Sequence, residues 1–293
     1  MRSSSVVGVL GSALILAVTL FAQSGSTPTW PEPVPARRAI AAKDKKPAPR
    51  RSLVGMWGAM PGNRQVTNQS SGVQLKPNNG RPENQLPYTP YGLELYKSHK
   101  PLEGADAVPP SATNDPRVRC EPLGLPRYNH YDLGIQIFQD EYKVAMLYQY
   151  DNRWRVIWTD GRPLPKLLDG GVEINGQYRE PRWFGYSVGT WIDDHTLDVQ
   201  TVGTMPEQRV WLDNTGRPIS DQLRIRETFK RLDYDTLEWS ETIEDPKVYT
   251  RSWQTMKMPM MLQDPRTDVM TRYCSPSEID AYNQVYGNAV SGK

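Results

Sequence analysis

Two glutamates stand where an alternating strand should turn them inward. In the stretch 223–229, Glu227 shares a face with Leu223, Ile225 and Phe229; in the stretch 236–244, Glu241 shares a face with Leu237, Trp239 and Ile243. Asp233–Asp235 reads as the turn between them, so the two strands are hairpin neighbours and both acids point to one side. A carboxylate in an apolar lining keeps its proton more readily and can serve as a general acid or base. The same position also suits an ion pair, because an isolated buried charge is too costly to keep, and Arg153, Arg155 and Arg226 are the candidate partners. Upstream, Tyr128-Asn129-His130-Tyr131-Asp132 leads into the first strands. A catalytic set would therefore draw on Glu227, Glu241, His130 and Tyr131.

Other signatures are weaker. Gly185-Tyr186-Ser187-Val188-Gly189 matches G-x-S-x-G, but a hydrolase elbow joins a strand to a helix. Here the motif lies inside an alternating strand that leads to another strand, so Ser187 reads as structural. His99, His130 and His195 lie at no metal-binding spacing, and two cysteines cannot build a zinc site alone. Neither a metal nor a cofactor is expected. Cys120 and Cys274 are an even pair, which in an oxidising compartment suggests one disulfide; two buried thiols are the alternative.

The aromatic residues point to binding rather than to chemistry. The chain has 9 Trp and 15 Tyr against 4 Phe, and rings with a polar handle suit a half-wet cavity better than a dry core. Tyr142, Tyr148, Tyr150, Trp154, Trp158 and Trp239 would line one face of the sheet, with Asp132 and Arg153 as polar contacts. Such a lining could hold a small apolar or aromatic molecule, or it could simply fill a barrel.

The elements that must position these residues are mostly strands. Trp183–Gly203 reads as a hairpin broken at Asp193-Asp194-His195. In Tyr142–Tyr150 the alternation puts Tyr142, Val144, Met146, Tyr148 and Tyr150 on one face. In Arg153–Thr159 it sets Trp154, Val156 and Trp158 against Arg153, Arg155 and Ile157. Asp151-Asn152 between them tolerates the positive φ of a tight turn. Lys166–Arg182 reads as a loop. Thr89-Pro90 opens a short helix that ends by Lys100-Pro101, and Ser275-Pro276-Ser277-Glu278 opens a C-terminal one. Roughly eight to ten strands follow from this pattern. The expected fold is mainly β: an antiparallel up-and-down, lipocalin-like barrel or a strongly curved sheet, with short peripheral helices including a C-terminal one.

The N-terminus bears on the compartment. Arg2, the apolar run Val6–Ala22 and the small-x-small site Ala22-Gln23-Ser24 read as a secretory signal peptide over residues 1–24. Residues 25–50, rich in Pro and basic side chains, read as a disordered leader, and 51–293 as a single β-rich domain. The formal charge of +2 is too small to imply nucleic acid or an anionic membrane surface. Export to the periplasm or the medium is expected, without stable membrane insertion after cleavage.

The runs DPRVRCEPLGLPR, TDGRPLP, GYSVGTWIDDHTLDVQTVG and SDQLRIRETFKRLDYDTLEWSETIEDPKVYT resemble a large uncharacterised family of exported bacterial proteins. Its pattern looks like C-x-P-x-G-x-P-R, T-D-G-R-x-x-P, G-x-S-x-G-x-W-x-G-D-T-L, an E-R-F strand and a final D-P. The chain departs from it at Asp193, in place of a Gly and with one residue extra, and at Thr228, in place of an Arg. The resemblance implies export and a β-rich fold and brings no catalytic residues with it. Three functions stay open: an exported barrel that binds a small apolar or aromatic molecule, a cofactor-free acid–base enzyme (lyase, isomerase or hydrolase) on that scaffold, and an envelope protein-interaction module.

Overall fold

Alternating apolar residues close this chain into a barrel. A computed structural model describes residues 46–59, 85–130, 134–206, 209–269 and 273–282. The segment read as a signal peptide, the leader up to residue 45, and Tyr131 and Asp132 lie outside them. The barrel strands are β1 (Gly55–Ala59), β2 (Ile135–Gln139), β3 (Lys143–Tyr148), β4 (Trp154–Trp158), β8 (Tyr186–Trp191), β9 (Thr196–Val202), β10 (Arg224–Arg231), β11 (Thr236–Glu244) and β13 (Met258–Leu262). They pair around the ring in that order, and β13 returns to β1. A further short strand, β12 (Trp253–Gln254), extends the sheet beside β11.

Nine strands close the ring. Directions that alternate around an odd ring must fail to alternate at one seam. That seam is β4–β8, the parallel pair, held only by Ile157 opposite Ser187 and Trp158 opposite Val188. Every other neighbour in the ring is antiparallel. A parallel neighbour needs a crossover, and the chain supplies it between the two strands. The stretch 166–182 is therefore more than the expected loop. It forms a separate three-stranded sheet of β5 (Lys166–Leu168), β6 (Gly171–Ile174) and β7 (Gln177–Arg179). Leu167 and Val172 of that sheet pack on Val202 and Tyr186, at the outer face of the barrel wall.

The expected helices form. α1 (Pro90–Ser98) is capped by Thr89, whose hydroxyl accepts from the Gly92 amide at 3.0 Å, and has Pro90 in its first turn. Gly92 is required there, since a Cβ would meet the Val248 carbonyl oxygen at 2.2 Å. α2 (Pro276–Tyr282) follows Ser275. Asp151 and Asn152 both take positive φ at the β3–β4 connection. Cys120 and Cys274 form the disulfide across 154 residues of chain, which fits an oxidising, extracytoplasmic compartment. No helix among the described residues is long and apolar enough to cross a membrane.

Two apolar clusters fill the barrel. One contains Trp57, Val144, Met146, Ile157, Phe229 and Trp239. The other contains Leu223, Ile225, Ile243, Val248 and Trp253. Along β10 and β11, Glu227 and Glu241 fall between the residues of the first cluster and those of the second, so a polar layer crosses the lumen between them.

Candidate functional site

The hairpin register places Glu227 directly opposite Glu241, and both are buried, at 0% and 1% exposure. Like charges facing across a strand pair are destabilising, so the layer is built from groups that offset them. Arg155 of β4 donates to both oxygens of Glu227, through Nη1 at 2.8 Å and through Nη2. Its remaining N–H groups reach Ser187 Oγ at 3.1 and 3.0 Å and Thr201 Oγ1 at 2.9 Å. Burial works against the charged guanidinium, but the Glu227 carboxylate outweighs it and raises the pKa of Arg155. The pair is a forked, charge-assisted contact with its spare donors satisfied.

Asn129 holds the second acid against the first. Its Nδ2 donates to Glu227 Oε1 at 2.7 Å and to Glu241 Oε1 at 2.6 Å, while Tyr148 Oη donates to its Oδ1 at 2.7 Å. Burial raises the pKa of the Tyr148 phenol, which keeps it a donor. Asn129 and His130 arrive on a short 3-10 turn, Arg127–His130, whose four residues are all buried. His130 Nε2 lies 2.7 Å from Glu241 Oε2, a close approach whose alignment falls short of a hydrogen bond. His130 Nδ1 lies 3.1 Å from Met258 Sδ.

Of the residues expected to line the interior, Glu227, Glu241, His130, Tyr148 and Trp239 do converge. Tyr150 is half-buried against Tyr128. The two faces of β4 are the reverse of those expected from its alternation. Arg155 and Ile157 face the lumen, opposite inward Met146 and Val144, and Trp154 points out at 67% exposure. Trp158 lies on the same outer face under Arg162, 3.6 Å from its ring centre. The lumen needs Arg155 as counter-charge for Glu227, and that requirement overrides the preference for burying indole. Tyr142 is exposed ahead of β3, and Arg153 pairs with Asp151 at 2.8 Å away from the layer. At the level of the carboxylates the lumen is packed with side chains, so the aromatic lining expected there lies partly on the outside.

An outer cleft of about 900 Å³ opens along the seam where β4 and β8 pair over so few residues. Its walls include Trp154, Trp158, Trp183, Phe184 and Tyr186, and its floor includes Arg155 and Ser187. The cleft therefore backs onto the polar layer. Gly185 shapes the entry to β8, with φ of +59° and space for no Cβ, which would come within 2.7 Å of the Val202 carbonyl oxygen. Ser187, the centre of the G-x-S-x-G match, is bonded to Arg155 and Thr201, and no imidazole contacts it among the described residues. No cluster of three or more His, Cys, Asp or Glu suited to a metal ion occurs among the described residues.

The sequence alone does not mark Asn129, Trp183, Phe184, Tyr186 or Arg182 as site residues. Asn129 sits in a turn with no periodicity to betray its direction. The other four flank the seam, and the TDGRPLP and GYSVG stretches, distant in sequence, both supply cleft residues. No family model matches the chain, and no curated protein or solved structure matches it significantly.

Proposed function

We propose that this protein binds a small molecule with an apolar or aromatic body in the cleft at the β4–β8 seam, after export through the N-terminal signal segment to the periplasm or the medium. The observation that carries the binding reading is the concentration of Trp158, Trp183, Phe184 and Tyr186 around one concave space of about 900 Å³. Small-molecule sites have this volume, this aromatic character and a few fixed polar groups. The buried layer behind it holds the floor rigid through Arg155 and Ser187. The disulfide and the apolar run Val6–Ala22 support export.

Titration with the neutral probe N-phenyl-1-naphthylamine tests the cleft. Saturable binding that quenches tryptophan emission is expected, weakened in Trp158→Ala. No saturable binding, or binding indifferent to that substitution, would overturn the reading. Export is tested by the mass of the protein recovered from the cell envelope, which should correspond to a chain starting at Gly25.

An acid–base enzyme is the second reading, favoured by the 2.7 Å approach of His130 to Glu241 beside Glu227. Against it stands their burial, which leaves these groups to brace the cleft floor through Arg155. Substitution of His130 that abolished turnover of a bound compound while leaving its affinity intact would favour the enzyme.

A further inference from the structure

We infer that the ligand of the seam cleft is an aromatic anion, a carboxylate attached to a ring system, with Arg182 as the group that recognises its charge. This rests on the cleft reading above and adds the chemical class to it.

The charges around the cleft are not balanced. Arg162 is held by Asp160, with Nε 2.9 Å from Oδ1 and Nη2 2.6 Å from Oδ2, and sits over the Trp158 ring. Arg155 in the floor is matched by Glu227. Arg182 has no such match: it is exposed, lines the cleft and makes no ion pair among the described residues. Among the described residues, one positive charge is therefore left facing an aromatic hollow.

The backbone of Arg182 is also fixed in place. Its amide donates to the Gly203 carbonyl at 2.9 Å, and its carbonyl accepts from Met205 at 3.1 Å and from Gly185 at 3.0 Å. Its guanidinium lies 4.3 Å from the ring centre of Tyr186, and the Tyr186 hydroxyl donates to the Glu180 carbonyl at 2.9 Å. The backbone bonds fix where the side chain starts, and the Tyr186 ring steers the guanidinium over one wall of the cleft. A guanidinium so placed matches a carboxylate through two parallel N–H donors, while the exposed indole of Trp154 offers a face for the ring of the ligand.

The test compares naphthalene-1-carboxylate with the neutral 1-naphthamide by tryptophan quenching on the full chain. The carboxylate should bind about tenfold more tightly, as one well-placed charged contact allows. Arg182→Gln should erase that preference while the amide still binds, and added salt should narrow it in the unmodified protein. Equal affinity for the two compounds, or a preference that survives R182Q, would overturn the inference and leave the cleft reading standing. Failure of both compounds to bind would remove both. Should R182Q not fold, as judged by circular dichroism, a preference in the unmodified protein that ignores salt is the overturning result.

Discussion

Glu227 and Glu241 face each other across the β10–β11 ladder inside the barrel, and a single amide, Asn129 Nδ2, donates to both. Between two apolar clusters, that layer holds together only while its one guanidinium is present. Replacing Arg155 by Met leaves Glu227 buried without a counter-charge, and about 3–5 kcal/mol of stability should be lost. The double substitution R155M/E227L removes both charges and should recover most of that loss. Urea unfolding of the two variants checks it; a double variant no better than R155M would show that the pair is not the dominant interaction of the layer.

The disulfide ties the segment after β13 to the stretch just ahead of the 3-10 turn that carries Asn129 and His130. Cys120 follows the 3-10 turn Pro116–Arg119, and the Cys274 amide donates to Asp151 at 3.1 Å. Closing so long a loop restricts the unfolded chain, and C120S/C274S should lose about 3–5 kcal/mol. Unfolding of the oxidised protein and the double variant measures this. Equal midpoints would mean that the reduced, unfolded chain is already held compact.

Legibility in the sequence followed the strength of the alternation. Around Glu227 and Glu241 each strand offers unambiguous apolar neighbours, Ile225 and Phe229 on one and Trp239 and Ile243 on the other, so the inward direction of the acids could be read directly. In β4 the same rule misled, because Trp154, Val156 and Trp158 outweigh Arg155 and Ile157 in apolar area. The register across the Asp151-Asn152 turn carries the true direction, since Met146 pairs with Arg155. The cleft was invisible for another reason: it exists because an odd ring needs one parallel seam, and the seam joins segments that no local pattern links. The small sheet β5–β7 escaped because strands of three or four residues carry too little periodicity to distinguish them from loop.

Gly185 opens β8 in a conformation that L-residues avoid, and its missing side chain faces the Val202 carbonyl and the Thr201 methyl. Gly185→Ala should cost more than about 1–2 kcal/mol, the penalty for the left-handed region alone. Because the residue sits in the cleft wall, the variant should also bind N-phenyl-1-naphthylamine more weakly. Thermal unfolding and the probe titration read the two effects. An alanine variant as stable as the parent would mean that the turn can be remade with ordinary φ.

Asp115 and Arg127 form a second buried pair, joined by Nη1–Oδ1 at 2.8 Å and Nη2–Oδ2 at 2.6 Å. Burial alone would raise the Asp115 pKa, but the Arg127 guanidinium, with Arg117 nearby, more than offsets it and holds the carboxyl below its usual value. The folded state therefore binds this proton less readily than the unfolded one. Its contribution is complete above the ordinary carboxylate range, about pH 4, and is lost as the pH falls through the folded value. Asp115→Asn cannot lose what it lacks. The stability gap between the parent protein and D115N should be widest near neutral pH and shrink on acidification below about pH 4. Urea unfolding of both proteins from pH 7 down to pH 3 measures the gap. A gap that stays constant would mean that Arg127 is held by its bond to Asn214 and that the charge of Asp115 contributes little.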